Sequence, residues 1–207
     1  AGQTCISASR VLVAAPLVGA LGAALAARAG RVRVGRGCEA RTGMGPLISQ
    51  AAVARVAGHV DDALARGATR LTDGDASIAG LAASPATAGG HWSPPTVLAG
   101  VPPGAAVWGE ETFGPLLALV PFESLEEALA LANSDANGLA SYVFTRDLGT
   151  AWRAAEGLDC GMVGVNEVAI TDQALPFGGV KGSGLGRESG AEGVAEFLET
   201  KTVVMRV

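Results

Sequence analysis

The sequence predicts an α/β fold in which helices flank a mainly parallel sheet. Two observations predict this class. Apolar runs of strand length alternate with helical patterns along the 207 residues, an order typical of parallel sheets. Hydrophobic residues make up 49% of the chain and charged residues only 17%, as in a globular protein with a well-buried core. Strands are predicted at 10–14, 69–71, 116–122, 140–144, 162–166 and 202–207, and helices at 16–29, 50–66, 124–133, 148–157 and 189–198.

Residues 11–29 are almost continuously apolar and contain the first two predicted elements. Pro16 divides the stretch into a short strand and a helix, because proline suits the first position of a helix. Arg28 and the many Gly and Ala residues keep the hydrophobicity modest, and no basic segment precedes the stretch. We therefore expect no signal peptide and no membrane partner.

The 50–66 helix is predicted from its apolar face. Val56 and Val60 recur at helical spacing, and His59 lies inside the same pattern. His59 and His91 are the two histidines of the chain. A papain-like pairing of a histidine with a cysteine is conceivable, since distance in sequence does not forbid contact, but no local signature supports it.

The remaining elements have local start and stop signals. Ser124-Leu-Glu-Glu127 is a capping box that starts the 124–133 helix, and Asn137-Gly138 supplies a turn before the next strand. Residues 73–90, rich in Ala, Ser and Gly, predict a surface loop with disorder. The 202–207 strand would leave an open sheet edge, which predicts pairing with another subunit.

Charge and cysteine content exclude several classes of protein. The net charge of −5 and the scattered Lys and Arg residues argue against nucleic acid as a partner. Cys5, Cys38 and Cys160 show neither CxxC pairing nor the spacing of metal ligands. We therefore expect no metal, no disulfide scaffold and a reducing, cytoplasmic location.

Three short blocks carry the chemistry, and the first is Ala1-Gly-Gln-Thr-Cys5. The residues after Cys5 can begin a helical turn. A thiol at a helix N-terminus is favoured in its thiolate form, which attacks carbonyl carbons. Taken alone, a cysteine beside Ile and Ala is more often a small buried hydrophobic residue.

The second block is Glu110-Glu-Thr-Phe-Gly-Pro115. A carboxylate can accept hydrogen bonds from both ribose hydroxyls, and an aromatic ring can flank a nicotinamide. Glu111 and Phe113 would project to the same side of an extended segment. Spacing alone favours the simpler alternative of a solvated Glu and a core Phe.

The third block runs from Pro176 to Glu188 and is rich in glycine. Five glycines in the eleven positions 176–186 permit tight turns and close backbone approach. The loop lacks the Gly-Lys-Ser/Thr ending of a phosphate-binding loop. Glycine content alone is therefore weak evidence for a site.

Taken together and in this order, the three blocks resemble the catalytic half of the aldehyde dehydrogenase superfamily, over residues 1 to about 204. The resemblance implies that Cys5 is the nucleophile that forms a thiohemiacetal. It also implies that Glu111 holds the nicotinamide ribose, that Phe113 lines the cofactor site and that the cofactor is NAD or NADP. Lys181 and Arg187 of the third block are expected to be architectural.

Two further segments resemble the succinate-semialdehyde dehydrogenases. They are Gly161-Met-Val-Gly-Val-Asn-Glu167 and the Leu-Glu-Thr-Lys stretch that ends at Lys201. In that subgroup a hydroxyl after the Asn helps to hold the substrate carboxylate, and Thr171 is the nearest match here. The resemblance thus implies a semialdehyde substrate such as succinate semialdehyde.

The resemblance also predicts the domain organisation. We expect residues 1–193 to form a catalytic domain that is incomplete at its N-terminus, and residues 194–207 to form an oligomerisation segment. In the family, the dinucleotide-binding domain, an oxyanion-binding Asn and a general-base Glu precede the cysteine, so they are expected upstream of Ala1.

Two functional hypotheses follow. In the first, the chain is the catalytic domain of an NAD(P)-dependent semialdehyde dehydrogenase that is active only with its missing N-terminal half. The expected partners are that half or further copies of the chain in a homo-oligomer. In the second, it is an inactive remnant that associates with full-length homologues. A weaker third idea is esterase chemistry at the Cys5 thiol.

Overall fold

The computed structural model describes residues 1–73, 77–81 and 84–207. They form two compact units, Ala1–Leu131 and Ala132–Val207. The strands are β1 (Arg10–Ala14), β2 (Thr69–Arg70), β3 (Thr96–Ala99), β4 (Leu116–Phe122), β5 (Asn137–Gly138), β6 (Ala140–Val143), β7 (Met162–Val165) and β8 (Val180–Lys181). The α-helices are α1 (Val18–Ala29), α2 (Gln50–Ala65), α3 (Ala106–Gly109), α4 (Leu125–Asn133), α5 (Leu148–Gly157) and α6 (Gly190–Ala195).

A four-stranded sheet organises the first unit. Its strand order is β1-β4-β3-β2. Strands β1 and β3 both run parallel to β4, with Leu12 opposite Val120 and Leu98 opposite Ala118. Strand β2 is antiparallel to β3. The predicted α/β class with a mainly parallel sheet is therefore confirmed.

One long helix covers each face of this sheet. Side chains alternate between the two faces along every strand, so each strand contributes apolar residues to both. On one face, Leu98 and Val120 pack in a cluster that includes Val56 and Val60 of α2. On the other face, Leu119 packs in a cluster that α1 completes. Strands β3 and β4 thus lie between two apolar layers.

Helices α2 and α4 begin where a serine side chain satisfies a free backbone N–H group. Ser49 Oγ accepts from the Ala52 N–H at 3.2 Å and starts α2. Ser124 Oγ accepts from the Glu127 N–H at 3.1 Å, which confirms the predicted cap of α4. The Glu127 carboxylate reaches back to the N–H of Glu123, one residue earlier than in a standard capping box. Within the described residues, no helix has both the length and the apolar character to cross a membrane.

The second unit contains smaller sheets. Strands β6 and β7 pair in parallel, with Tyr142 opposite Gly164, and β5 pairs with β8 in antiparallel fashion. Helix α5 buries Ala151 and Ala154. Asp147 caps this helix by accepting from the Thr150 N–H at 2.6 Å.

Most predicted elements form within a residue or two of their expected bounds, but some differ. Residues 15–17 form a 3-10 turn, so α1 begins after it. Strand β3 was missed, because a fully buried strand of four residues has no alternation of polar and apolar positions. The strand predicted at 202–207 is wrong for this chain by itself: these residues have no regular structure and pair with no strand in the described part.

Two predictions about chain organisation have no full test in the structure. The predicted disordered loop at 73–90 lies partly outside the described residues, since 74–76 and 82–83 are not described. Its described residues are mostly turns. The boundary between 193 and 194 also stays a prediction, because the division into compact units falls after Leu131.

We expect Leu98→Ala to lower the free energy of unfolding by about 2–5 kcal/mol, because it leaves a cavity between two packed layers. Leu98 is completely buried. Ile48→Ala removes as many carbon atoms from a side chain that is 81% exposed, and it should change the same quantity by about 0.5 kcal/mol or less. Urea denaturation measures both, and equal losses would contradict this core.

Candidate active site

Cys5 lies in an isolated turn and is exposed. The Ser7 N–H donates to the Thr4 carbonyl at 2.9 Å and closes the turn, and the chain becomes strand β1 at Arg10. The residues after Cys5 form this single turn but no helix, because those that follow must extend to pair with β4. The turn gives Cys5 no helix dipole, but it leaves the thiol accessible to a small molecule.

Two contacts fix the chain around Cys5. Gly2 has a φ of +69°, and a Cβ there would lie 2.8 Å from the carbonyl carbon of Gly114. Only glycine allows this backbone approach. Gln3 Oε1 accepts a hydrogen bond from the Ile48 N–H at 3.1 Å. The chain start is thus held against the second block and the loop before α2.

Gly114 is itself pressed against helix α2. A Cβ on Gly114 would overlap Cγ2 of Val56, whose side chain is buried. Gly2 therefore packs against Gly114, and Gly114 packs against Val56. We name this arrangement the glycine contact, and it brings together the block that contains Cys5 and the block that contains Glu111 and Phe113.

Glu111 and Phe113 have different environments. Glu111 is exposed, and Phe113 is half-buried. Phe113 has a φ of +49°, so the extended backbone predicted for 111–113 is wrong at this residue. A bulky residue in the left-handed region is uncommon, and such strain is concentrated at functional sites.

Helix α2 also holds the chain around Glu111, through a contact between His59 and Thr112 that the sequence does not predict. His59 is buried, and its Nδ1 lies 2.9 Å from Oγ1 of the buried Thr112. Its Nε2 lies 3.3 Å from a carboxylate oxygen of Glu110. The signal that could have found this arrangement is a histidine within the apolar face of α2 together with a threonine inside the second block.

Asp62 provides another link between α2 and this region. Its carboxylate accepts from the Ala106 N–H at 2.7 Å, at the first residue of α3, and from Arg66 Nε at 2.8 Å. The Ala106 hydrogen bond, followed by that of Arg66, lowers the pKa of Asp62. Helix α3 leads directly into Glu110, so Asp62 positions the start of the second block.

A surface cavity of about 290 Å³ opens beside the glycine contact. Gly2, Gly114 and Ser7 line it, and Arg28 is the charged residue of its lining. Cys5, Glu111 and Phe113 are not among its lining residues. We therefore do not assign this cavity as the active site.

Thr171 lies in the second unit, in the segment after β7, and it is exposed. The side-chain amide of Asn166 fixes the start of this segment, because it accepts from the Thr145 N–H at 3.0 Å and donates to the Thr145 carbonyl at 2.8 Å. The Glu167 carboxylate accepts from the N–H groups of Val168 and Ala169 at 2.7 and 2.8 Å. These bonds, that of Ala169 first, lower the pKa of Glu167.

The basic side chains of the third block donate hydrogen bonds to backbone carbonyl groups. Lys181 Nζ donates to the Asn133 carbonyl at 3.1 Å and pairs with Asp159 at 2.9 Å. Arg187 Nη1 donates to the Gly179 carbonyl at 2.7 Å. Both charges are used within the second unit, in agreement with the architectural role expected for them.

Of the other two cysteines, only Cys160 differs from Cys5 in exposure. Cys38 is exposed, and Cys160 is partly buried, with its thiol donating to the Met162 carbonyl at 3.3 Å. Among the residues that the structure describes, no group of three or more His, Cys, Asp or Glu side chains could hold a metal ion.

Comparison with known proteins now defines the family. The model of the aldehyde dehydrogenase family matches residues 1–203, and the chain belongs to this family. It is 41% identical over 206 residues to the glutarate-semialdehyde dehydrogenase of Pseudomonas putida, a match that covers 100% of this chain and 41% of that protein. The chain thus spans about two fifths of the length of the curated relatives it matches.

Solved structures give the same result. The crystal structure of succinate-semialdehyde dehydrogenase from Burkholderia pseudomallei is similar with a TM-score of 0.86 and 44% identity, over 95% of this chain and 39% of that chain. Betaine aldehyde dehydrogenase from Staphylococcus aureus in complex with NAD+ is similar with a TM-score of 0.86 and 36% identity, over 97% of this chain and 39% of that chain. The fold expected from the resemblance is confirmed.

We expect Gly114→Ala to lower the free energy of unfolding by about 1–3 kcal/mol, because the new methyl group overlaps Val56. Val56→Ala removes the overlapping atom, so the double variant should be less destabilised than the sum of the two single variants by about 1 kcal/mol or more. Urea denaturation of the four proteins measures this coupling.

Gly109→Ala is the matched control, since a Cβ at Gly109 would meet nothing within 4 Å. It should change the free energy of unfolding by about 0.5 kcal/mol or less. Strictly additive losses in the Gly114 and Val56 variants would mean that the two residues are not in contact.

The anchoring of the 166–171 segment should depend on pH. Because folding lowers the pKa of Glu167 below its ordinary value of 4.5, its hydrogen bonds stabilise the segment fully above that value and are lost as the pH falls through the folded pKa. The amide proton shifts of Val168 and Ala169 should follow this titration in NMR spectra. An inflection at or above 4.5, or the same titration in Glu167→Gln, would disprove the assignment.

Proposed function

We propose that the chain supplies the nucleophile and the ribose-binding carboxylate for NAD(P)-dependent oxidation of a semialdehyde, such as succinate semialdehyde, to the carboxylate. The glycine contact carries this proposal. It holds the Cys5 turn against the block of Glu111 and Phe113, so that a thiol and a candidate cofactor-binding carboxylate belong to one rigid part of the first unit.

Cys5 is proposed to react as the thiolate. Its sulfur adds to the aldehyde carbon, a C–S bond forms, and the C=O π electrons move to the oxygen, where the Cys5 backbone N–H is one of the stabilising donors. Loss of hydride from that carbon leaves a thioester on Cys5. Water then adds to the thioester carbon and the C–S bond breaks, which releases the carboxylate and regenerates the Cys5 thiolate, with two protons passing to solvent.

Glu111 and Phe113 fit a dinucleotide cofactor. The exposed carboxylate of Glu111 can accept hydrogen bonds from two ribose hydroxyls, because it has several acceptor positions. The half-buried ring of Phe113 offers one apolar face beside it. NAD(P)+, when bound, accepts the hydride that leaves the former aldehyde carbon. The similar betaine aldehyde dehydrogenase with bound NAD+ supports this class of cofactor.

Thr171 is proposed to bind the carboxylate at the other end of the substrate. Its hydroxyl lies exposed on the segment that Asn166 and Glu167 anchor, and a hydroxyl can donate to a carboxylate. Two of the similar proteins are named for substrates of this kind, glutarate semialdehyde and succinate semialdehyde. A second carboxylate on the aldehyde is therefore the feature that we expect the site to select.

Association with full-length homologues is the second candidate function. The chain after α6 has no regular structure, and Val204 and Met205 are 90% and 84% exposed. Exposed apolar residues of this kind favour pairing with another chain. This role does not require the Cys5 thiol, so the two functions are separable by experiment.

The catalytic proposal can be tested with a chimaera, in which the 207 residues of this chain replace the corresponding part of the Pseudomonas putida glutarate-semialdehyde dehydrogenase. We expect the chimaera to form NADH or NADPH with succinate semialdehyde. Cys5→Ser should reduce kcat by about a thousandfold or more, because a serine hydroxyl is a much weaker nucleophile than a thiolate. Cys38→Ser is the matched control and should keep the activity.

The proposal fails if the folded chimaera forms no NAD(P)H with any aldehyde while iodoacetamide still alkylates Cys5. In that case, light scattering of the chain mixed with the full-length relative tests the second function. A mixed oligomer with both chains would favour it.

A further inference from the structure

His59 is a polar residue on the buried face of α2. The residue is 4% exposed, and burial of an imidazole is unfavourable unless its nitrogens have hydrogen-bond partners. Both nitrogens have partners, and both partners belong to the second block: Oγ1 of Thr112 at 2.9 Å and Oε2 of Glu110 at 3.3 Å.

The chemistry of the partners assigns the proton on the neutral ring. A carboxylate only accepts hydrogen bonds, so Nε2 must carry the hydrogen that points to Glu110. Nδ1 then has a lone pair and accepts from the Thr112 hydroxyl, which can donate. The result is a directed chain of donors from Thr112 through His59 to Glu110, which we name the His59 relay.

The relay holds the two residues that flank Glu111. Glu110 is extended, with φ of −117° and ψ of 140°, and side chains alternate between the two sides of an extended chain. Glu110 and Thr112 therefore turn toward α2, and Glu111 turns to the opposite side, where it is exposed. One side chain of α2 thereby determines the direction of Glu111.

We propose that His59 is a positioning residue for the cofactor site. By binding Thr112 and Glu110, it orients the Glu111 carboxylate that lies between them. The inference rests on the proposed function, because it takes Glu111 as the ribose ligand. It goes beyond that function in naming a residue of α2 that touches neither substrate nor cofactor.

The bond to Thr112 should contribute more than the contact with Glu110. Thr112 is 1% exposed, so loss of its partner leaves a buried polar group unpaired. The Glu110 side chain is 70% exposed, and a hydrogen bond to a carboxylate with so much solvent contact contributes little, because water can replace it. Variants of Thr112 therefore test the relay more directly than variants of Glu110.

The first test uses NMR of the chain itself to determine which ring nitrogen of His59 carries the hydrogen. His59 and His91 are its two histidines, so long-range 1H–15N spectra contain two ring systems, and His91 is the internal comparison. On the neutral ring, we expect the hydrogen of His59 on Nε2 and none on Nδ1. Thr112→Val should shift the Nδ1 signal, and Thr112→Ser should restore it.

A proton on Nδ1 of His59, two tautomers in exchange, or unchanged signals in Thr112→Val would each overturn the relay. His59→Phe preserves the ring volume without the nitrogens, but it can fail to fold. Thr112→Val changes one hydroxyl to a methyl group and keeps the test decisive.

The second test measures KM for NAD(P)+ and kcat in the chimaera described above. Thr112→Val should raise KM for NAD(P)+ by about tenfold or more with a smaller change in kcat, because a displaced ligand weakens cofactor binding. Thr112→Ser should restore KM, and His91→Asn should leave both constants unchanged. A loss of stability in Thr112→Val with KM unchanged would overturn the positioning role.

The two proposals fail in different ways. An unsubstituted chimaera that forms no NAD(P)H contradicts the proposed function, including the ribose role of Glu111. The spectra of the chain alone still decide whether the His59 relay exists, since they require no activity.

Discussion

The proposed site depends on the close approach of the backbone at Gly2 to the backbone at Gly114, which itself packs against helix α2. Gly2 meets the Gly114 carbonyl, and Gly114 meets Val56, with no room for a Cβ at either glycine. A side chain at Gly2 would push the Cys5 turn away from the second block, and a side chain at Gly114 would push that block away from α2. The glycine contact thus sets how closely the turn of Cys5, the proposed nucleophile, lies against the block of Glu111, the proposed cofactor ligand.

Helix α2 combines two tasks that are usually separate. Val56 and Val60 cover one face of the sheet and provide much of the apolar burial of the first unit. The same buried face carries His59, and the neighbouring Asp62 holds α3. Because the core stabilises α2, the strain of the left-handed Phe113 is borne by the fold as a whole rather than by the loop. The site residues on the second block therefore have a rigid support.

The sequence predicts those parts of the molecule that local patterns determine. Strands β1 and β4 and the cap at Ser124 follow from apolar runs and capping chemistry, and the family follows from three blocks in a fixed order. Features set by distant contacts were not predictable: His59 and Thr112 are separated by 53 positions, and the left-handed Phe113 depends on where Gly114 must pack. The strand expected at 202–207 requires a partner strand, which sequence patterning does not supply. The residues after Cys5 can begin a helical turn, but they form only one turn because the chain must then extend to pair β1 with β4.

The measurement that tests the central claim most directly is the nuclear Overhauser contact between Gly2 and the second block in the isotopically labelled chain. A Cβ on Gly2 would lie 3.5 Å from the Pro115 nitrogen, so the account predicts cross-peaks between the Gly2 α protons and the Pro115 δ protons. Cross-peaks between Gly114 and the Val56 methyl groups serve as the positive control. If the control peaks are present and the Gly2 peaks are absent, the Cys5 turn is not held against the second block, and the proposed site is wrong.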